Sequence, residues 1–265
     1  MYDFAYEKPS SLADAVASLK ANLDSKALAG GQTFIPVLKQ RLNKPSVVVD
    51  LAKLNLKGIT VTPAIVTIGA MTTHGEIALS ADIQKTLPAL AHMASMIGDW
   101  QVRHRGTMGG SLANNDPSAC YPAALLALDG TVTTDRRTIK AEDYFQGMFT
   151  TALEDGELIT SVSFPVPEKA AYTKFRNPAS RYAMVGVFVA RFAAGVRVAI
   201  TGASQGGVYR HTAFETALSA NFAPDAIKDI VTPADGLNSD IHASAPYRAH
   251  LIGVMTKRAV IEATA

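Results

Sequence analysis

The sequence is poor in cysteine, tryptophan and charge. It has one cysteine and one tryptophan in 265 residues, and 18% of its residues are charged, below the ~25% usual for globular proteins. Cys120 alone excludes an internal disulfide, as well as a zinc or iron–sulfur site built only from this chain's thiolates. A single cysteine is typical of a reducing compartment, so we predict a cytoplasmic protein.

Long apolar runs and basic clusters are also missing. The run Ala183–Ala190 ends at Arg191, far short of the ~20 apolar residues of a membrane-spanning helix. The first residues lack the basic start and apolar core of a signal peptide. The net charge of +2 offers no basic stripe for nucleic acid, and 48% hydrophobic residues exclude a disordered chain. We therefore expect a folded protein with no transmembrane segment and no nucleic-acid partner.

Helix and strand patterns alternate along the chain up to a pair of prolines. Residues 1–55 show a helix capped by Ser11, two short strands, a glycine turn and a second helix. Residues 56–167 add two hairpins, further helices and the strand Leu158–Phe164, which ends at Pro165-Val166-Pro167. This proline pair predicts a domain boundary after residue 167.

Residues 168–265 form the second predicted domain. Three consecutive strands, Tyr172–Arg176, Tyr182–Phe192 and Val196–Gly202, predict an antiparallel sheet. Helices are predicted after them, and these span Ala213–Ala220, Pro224–Val231 and Tyr247–Glu262. The fold class predicted for the whole chain is α+β.

The first candidate site lies between a predicted strand and a predicted helix. It consists of Ala29, Gly30, Gly31, Gln32 and Thr33. Glycine lets the backbone approach a ligand, and a helix start offers N–H donors, so a diphosphate is the natural occupant. The alternative is a turn that uses glycine only for its geometry. The segment is neither G-x-G-x-x-G nor a P-loop.

A second glycine pair follows about 80 residues later, also at a predicted turn. Its candidate residues are Thr107, Gly109, Gly110 and Ser111, and the chain continues into Asn114-Asn115-Asp116-Pro117. An ordinary polar turn would have the same composition. Together, the two pairs favour one long ligand held between two subdomains.

Four stretches carry a resemblance to a known family. They are A-G-G-Q-T at 29–33, I-G-A-M-T-T-H at 68–74, T-M-G-G-S-L-A-N-N-D-P at 107–117 and K-F-R-N-P-A-S-R-Y at 174–182. In this order the sequence resembles the FAD-binding middle subunit of the molybdenum hydroxylases, the group of aerobic carbon monoxide dehydrogenase and xanthine dehydrogenase. The resemblance covers nearly the whole chain.

The resemblance implies two N-terminal α/β subdomains that clasp FAD (residues 1–55 and 56–167), followed by a three-stranded antiparallel sheet with a helical bundle. It implies that both glycine segments hold the diphosphate. Ile159 matches a position that touches the flavin, while Lys174 and Tyr182 match residues beside the isoalloxazine ring. The alternatives are a strand-end aromatic for Tyr182 and a solvated strand residue for Lys174.

One position departs from the family pattern. Cys120 stands where many members carry an aspartate that contacts FAD, and Asp116 is the nearest carboxylate that could compensate. A small buried apolar role is the alternative for Cys120. His74, His92 and His104 lack the spacing of metal ligands, so we interpret them as structural and predict neither a metal site nor a catalytic side chain.

The resemblance implies an electron-transfer role for FAD in this chain. Electrons would arrive from two [2Fe-2S] clusters of a small partner subunit, and substrate would be oxidised on a large subunit with the molybdenum cofactor. The assembly would be a dimer of heterotrimers. A self-sufficient flavin oxidoreductase and a non-catalytic nucleotide-binding module are the alternative functions.

Overall fold

The computed structural model describes residues 1–265, and its first part is a small parallel sheet. The strands β1 (Ala5–Glu7), β2 (Lys26–Leu28) and β3 (Val47–Asp50) pair in the order β1-β3-β2, and α1 (Leu12–Ala21) and α2 (Phe34–Lys39) connect them. The Ser11 side chain caps α1, as the sequence predicts. All four residues of β3 are buried, because this apolar strand lies at the centre of the sheet. The strand β1 is not apparent in the sequence, because its three residues are all exposed.

The second sheet is antiparallel and has five strands. Its members are β4 (Ile59–Val61), β5 (Ile65–Gly69), β6 (Thr131–Thr134), β7 (Thr138–Lys140) and β10 (Ile159–Pro165), in the order β4-β5-β10-β6-β7. Both predicted hairpins, β4–β5 and β6–β7, are present. The chain between β7 and β10 forms α9 (Ala141–Tyr144) and a separate hairpin of β8 (Phe145–Gly147) and β9 (Thr150–Thr151).

Six short helices connect β5 to β6. They are α3 (His74–Leu79), α4 (Ala81–Thr86), α5 (Pro88–Ser95), α6 (Trp100–Arg105), α7 (Met108–Asn114) and α8 (Tyr121–Ala127). Side-chain caps mark the starts of α3, α4, α6 and α7. Each cap fixes where a short helix begins, which is decisive because six or seven residues give little intrinsic helical stability.

The third sheet has four strands rather than the three expected. Its strands β11 (Lys169–Arg176), β12 (Ala183–Phe192) and β13 (Gly195–Thr201) are followed by β14 (Tyr209–Arg210), which pairs with Ala199 and Ile200 of β13. The sequence prediction missed β14 because a two-residue strand has no detectable alternation.

Two helices, rather than a bundle of three, follow the third sheet. They are α10 (Thr212–Ala220) and α11 (Ala245–Thr264). The helix expected at Pro224–Val231 is one 3-10 turn ending at Ile227, because Ile227 is buried and Val231 is 86% exposed. Ile230, the next large apolar residue, is only partly buried against the same core. No helix of the structure is both long and apolar enough to cross a membrane.

The hydrophobic core continues across the predicted domain boundary. Tyr172, Phe188, Ala190 and Ala199 of the third sheet belong to the same buried cluster as the second sheet and helices α3, α4, α5, α7 and α8. The other face of the third sheet packs against α10 and α11. Strand β12 is therefore covered on both faces, which explains its nearly continuous apolar sequence. The boundary after residue 167 stays a prediction.

Candidate functional site

One cleft of about 600 Å³ brings residues of all three sheets together, a size typical of small-molecule sites. Every residue predicted from the sequence to bind the cofactor lines it: Ala29, Gly30, Gly31, Gln32, Thr33, Thr107, Gly109, Gly110, Ser111, Asp116, Ile159, Lys174 and Tyr182. Cys120 and His74 line it as well. The geometry thus assembles one site from segments that are up to 150 residues apart, while each residue's contact with a ligand stays a prediction.

The first glycine segment, residues 29–33, presents its backbone donors to the cleft. None of the five consecutive N–H groups donates to an acceptor within the chain. Gly31 has a φ of +72°, a conformation that glycine adopts at little cost. Five unpaired donors beside a helix start can bind an anion such as a diphosphate.

Gly30 joins the two glycine segments. A Cβ at this position would overlap the carbonyl oxygen of Arg105 and lie 2.7 Å from Cα of Gly106. Both neighbours are backbone atoms, so they cannot move aside as a flexible side chain can. Residue 30 is therefore glycine because the segment that precedes α7 packs directly against it.

The second glycine segment differs from the open turn that its sequence predicts. Gly109 and Gly110 lie in the first turn of α7, which Thr107 caps by accepting a hydrogen bond from the Gly110 N–H at 3.2 Å. The N–H groups of Met108 and Gly109 donate to Thr72 and Ala70, at 3.0 and 2.8 Å. With its first-turn donors engaged, the segment is left to contact a ligand mainly through side chains such as Ser111.

His74 is a cleft residue that sequence reasoning treats as structural only. It is 5% exposed, and its Nδ1 has no hydrogen-bond partner. Burial, assisted by the Arg103 charge, lowers the pKa of His74 to about 4, so the imidazole is neutral at pH 7. Its Nε2 lies close to the Gly106 backbone, beside the second glycine segment. Its place directly after the T-T pair of the quoted I-G-A-M-T-T-H stretch is the signal that could have identified it.

Lys174 lines the cleft and is held there by two acceptors. Its Nζ donates to the Met96 carbonyl at 3.1 Å and to Cys120 Sγ at 3.4 Å. Cys120 is 4% exposed, in agreement with the small buried role considered for it, yet its sulfur contacts a charged group. Lys174 is thus a fixed, half-buried cation rather than a solvated strand residue.

Asp116 and Tyr182 lie near one another in the cleft. The Asp116 carboxylate accepts the Ser118 N–H at 2.8 Å, and burial raises the pKa of Asp116. Partial burial and the Asp116 charge raise the pKa of Tyr182. The Tyr182 carbonyl accepts the Asn177 N–H at 2.8 Å, which closes the loop between these two residues, and Tyr182 as a whole is 48% exposed. An exposed aromatic side chain at a cleft can cover a flat ligand.

The remaining wall is apolar. Ile159 begins β10 beside a register shift between Ile159 and Ser161. Sequence reasoning did not identify the other apolar lining residues, which include Phe34, Val37, Leu51, Leu153 and Leu158. The sequence gives no direct sign that these residues line a cleft, because apolar residues in α2 and before β10 have the same pattern as residues of the hydrophobic core.

This arrangement is a binding site for a long ligand that has an anionic centre and flat apolar groups. FAD is a ligand of this kind. Five free backbone donors, a glycine without room for a Cβ and a cleft of sufficient size fit this cofactor. Residues 2–167 match the family described as FAD binding domain in molybdopterin dehydrogenase. The chain belongs to this family, and the predicted resemblance and the FAD cofactor are confirmed.

Relatives match over nearly the full length. The nicotine 6-hydroxylase medium subunit of Paenarthrobacter nicotinovorans is 36% identical, over 98% of this chain and 97% of that protein. The carbon monoxide dehydrogenase medium chain of Afipia carboxidovorans is 34% identical, over 99% and 97%. A chain of reconstituted CO dehydrogenase from Oligotropha carboxidovorans superposes with a TM-score of 0.89 at 32% identity, over 99% and 98%. These relatives confirm an oxidoreductase flavoprotein subunit.

Proposed function

We propose that this chain is the FAD-containing electron-transfer subunit of a molybdenum hydroxylase complex. It passes electrons from iron–sulfur clusters of a partner subunit to a terminal acceptor. The observation that carries the proposal is the row of five unpaired backbone donors at residues 29–33, in a chain that aligns end to end with medium subunits of such enzymes.

Residues 1–167 form the FAD-binding domain in this proposal. The N–H groups of 29–33 bind the diphosphate, and Thr107, Gly109, Gly110 and Ser111 form the facing wall. The close packing of Gly30 on the Arg105–Gly106 backbone supports this arrangement, because it fixes the distance between the two walls.

The isoalloxazine ring lies toward Lys174, Tyr182, Asp116 and Ile159. FAD supplies the ability to take up electrons singly and to release them as a pair. The protein's own contribution is positional: Tyr182 covers one face of the ring and excludes water, while Lys174 places a positive charge beside it. The residues of this chain bind and orient, and no side chain of it is a proton donor in the proposal.

Two partners follow from this role. A single cysteine cannot hold an iron–sulfur cluster, so a small subunit carries two [2Fe-2S] clusters and a large subunit carries the molybdenum cofactor and oxidises the substrate. The three chains form a dimer of heterotrimers in the cytoplasm. The relatives named as medium subunit and medium chain support a multi-subunit assembly.

The experiment compares the lone chain with the complex. The chain is expressed alone, reconstituted with FAD and offered aldehydes, N-heterocycles and carbon monoxide with an artificial electron acceptor. We expect bound FAD without turnover, and turnover only after both partner subunits are added. Substantial turnover by the lone chain would instead establish a self-sufficient flavin oxidoreductase. Bound flavin that partner subunits never reduce would favour a non-catalytic nucleotide-binding module.

A further inference from the structure

Three positively charged side chains converge on the carbonyl groups that follow helix α5. Lys174 Nζ donates to the Met96 carbonyl at 3.1 Å, and Arg103 Nη1 donates to the Ile97 carbonyl at 3.1 Å. Arg181 Nη1 lies 3.5 Å from the Gly98 carbonyl oxygen, which Arg103 also approaches at 3.4 Å. We call Lys174, Arg103 and Arg181 the cation cluster.

The position of these carbonyls explains why the cations gather there. Met96 is the C-cap of α5, at the end of the helix where its dipole places a partial negative charge of about half an electron, and Ile97 and Gly98 are the next two residues of the loop. That partial charge orients three cations but does not neutralise them. Each cation comes from a different part of the chain, namely β11, α6 and the loop before β12, so the tertiary fold brings them together.

No carboxylate balances the cluster. No ion pair of the chain includes Lys174, Arg103 or Arg181. Asp99 accepts the Val102 N–H as the cap of α6. The Asp116 carboxylate accepts the Ser118 N–H at 2.8 Å and is likewise in none of these ion pairs. The cluster therefore has an excess of positive charge.

The excess charge faces the cleft. Lys174 and Arg181 line it together with Tyr182, and the carbonyl-bearing Ile97 and Gly98 line it as well. Lys174 and Arg103 are half-buried, so water screens them less than it screens a surface charge. A positive potential in a partly enclosed cleft stabilises negative charge placed there.

We propose that the cation cluster stabilises the negative charge that the flavin ring acquires on reduction, and that it thereby raises the reduction potential of the bound FAD. Two electrons and one proton taken up from the iron–sulfur donor and solvent leave one net negative charge on the ring. The inference rests on the proposed function, since it places FAD in this cleft with its ring beside Lys174 and Tyr182. Lys174, Arg103 and Arg181 are positioning residues, which act through charge rather than through bond-making.

The test uses the full chain reconstituted with FAD and the variants Lys174→Met, Arg181→Gln and the double variant. Flavin content is measured first, and the reduction potential is then measured by equilibration with a redox dye. We expect Lys174→Met to lower the equilibrium constant for reduction by about tenfold, which is the size of one charge interaction of about 1.4 kcal/mol in a partly screened site. Arg181→Gln should lower it less, because Arg181 lines the cleft but is exposed. The double variant should show a larger decrease than either single variant.

Matched controls lie on the same strand. Lys169→Met and Arg176→Gln remove the same formal charges from exposed positions of β11 and should leave the potential unchanged. A potential that is equal in Lys174→Met, Arg181→Gln and these controls, at full flavin content, would overturn the inference. Failure of the unmodified chain to bind FAD would contradict the proposed function instead.

A second measurement covers variants that lose FAD. In the unmodified chain, added salt should screen the exposed Arg181 of the cation cluster and lower the potential as ionic strength rises. A potential that is independent of salt would contradict the inference without the use of any variant.

Discussion

The two glycine pairs of the cleft look alike in sequence and differ in structure. At residues 29–33 the backbone donors are unpaired and Gly31 has a positive φ. At residues 107–111 the pair lies inside a capped helix whose first N–H groups are already engaged. The first segment leaves its backbone donors free, and the second uses its own within the fold.

Glycine serves close packing in the second segment. A Cβ at Gly109 would lie 2.7 Å from the Ala70 Cβ and 2.9 Å from the Ala70 carbonyl oxygen. A Cβ at Gly110 would crowd the Thr107 hydroxyl at 2.8 Å. The comparison teaches that a glycine pair is evidence of a close approach, and that only the hydrogen-bond partners show whether a ligand or another part of the chain approaches.

The largest effect is expected where the two segments meet. Gly30→Ala would force a methyl group against the Arg105 carbonyl, so we expect a stability loss of about 3 kcal/mol and loss of FAD from the purified protein. Gly253→Ala is the control, because nothing lies within 4 Å of a Cβ there. Thermal unfolding and the flavin-to-protein ratio measure both effects, and full retention of FAD in Gly30→Ala would show that the segments need not touch.

Low pH should decrease the stability of the folded chain through His74, which lies beside the second glycine segment. The pKa of His74 is about 4 in the folded chain and ~6.5 when unfolded, so below pH 6.5 the unfolded state binds a proton that the folded state does not. Its contribution to stability is complete above pH 6.5 and falls by up to about 3 kcal/mol as pH drops toward 4. Denaturant unfolding at pH 7 and pH 4.5 measures this loss.

The variant His74→Gln should reduce that pH dependence, whereas His92→Gln, which alters an exposed histidine, should not. If His74→Gln loses as much stability at pH 4.5 as the unmodified chain, the pH dependence comes from other titratable groups and not from His74 beside Gly106.

The first segment should respond through FAD affinity. Alanine disfavours the positive φ of residue 31 by about 1 kcal/mol, and its Cβ would lie 2.6 Å from Ile35 Cδ1. In Gly31→Ala the row of N–H donors should therefore shift, and FAD binding should weaken about tenfold. Flavin fluorescence titration measures the affinity. Gly206→Ala, at a glycine whose own φ is not positive, is the control, and equal affinity in both variants would contradict the role assigned to residues 29–33.

The smallest effect is expected at the cap of the second segment. Thr107→Val removes the hydroxyl that accepts the Gly110 N–H, and the loss of such a cap costs about 1 kcal/mol. Stability should therefore fall while FAD affinity decreases less than in Gly31→Ala. Ser11→Ala removes the equivalent cap of α1 and should cost a similar amount with no change in FAD affinity. A larger affinity loss in Thr107→Val than in Gly31→Ala would reverse the comparison.

Strong local patterns made much of the fold predictable. The run Ser46–Leu51 contains β3, and the hairpins of the second sheet follow the alternation of their residues. Helix α6 was missed because Trp100–Arg105 buries no residue and has no apolar periodicity; its start depends on the Asp99 cap. The strand β14 and the short turn at Pro224–Ile227 depend on tertiary contacts, which local sequence does not encode.

The sequence predicts which residues line the candidate site, but it does not predict all of their hydrogen bonds and contacts. The residues predicted to bind the cofactor all line one cleft, because the quoted motifs lie in the segments that form its walls. The engaged donors of α7, the unpaired Nδ1 of His74 and the contact of Lys174 with Cys120 depend on partners that are distant in sequence. No pattern within one segment reports such partners.

The core shared by the second and third sheets bears on how such chains can recombine. Thr201 donates to the Pro117 and Ala119 carbonyls, at 3.0 and 2.7 Å, and Tyr172 and Phe188 pack with the helices of the preceding half. Residues 168–265 therefore cannot be exchanged between relatives as a separate unit that is joined at the proline pair. A chimera that folds has to take the surfaces of α5 and α8 that face the third sheet from the same relative as the sheet. The exchanged segment is therefore larger than residues 168–265.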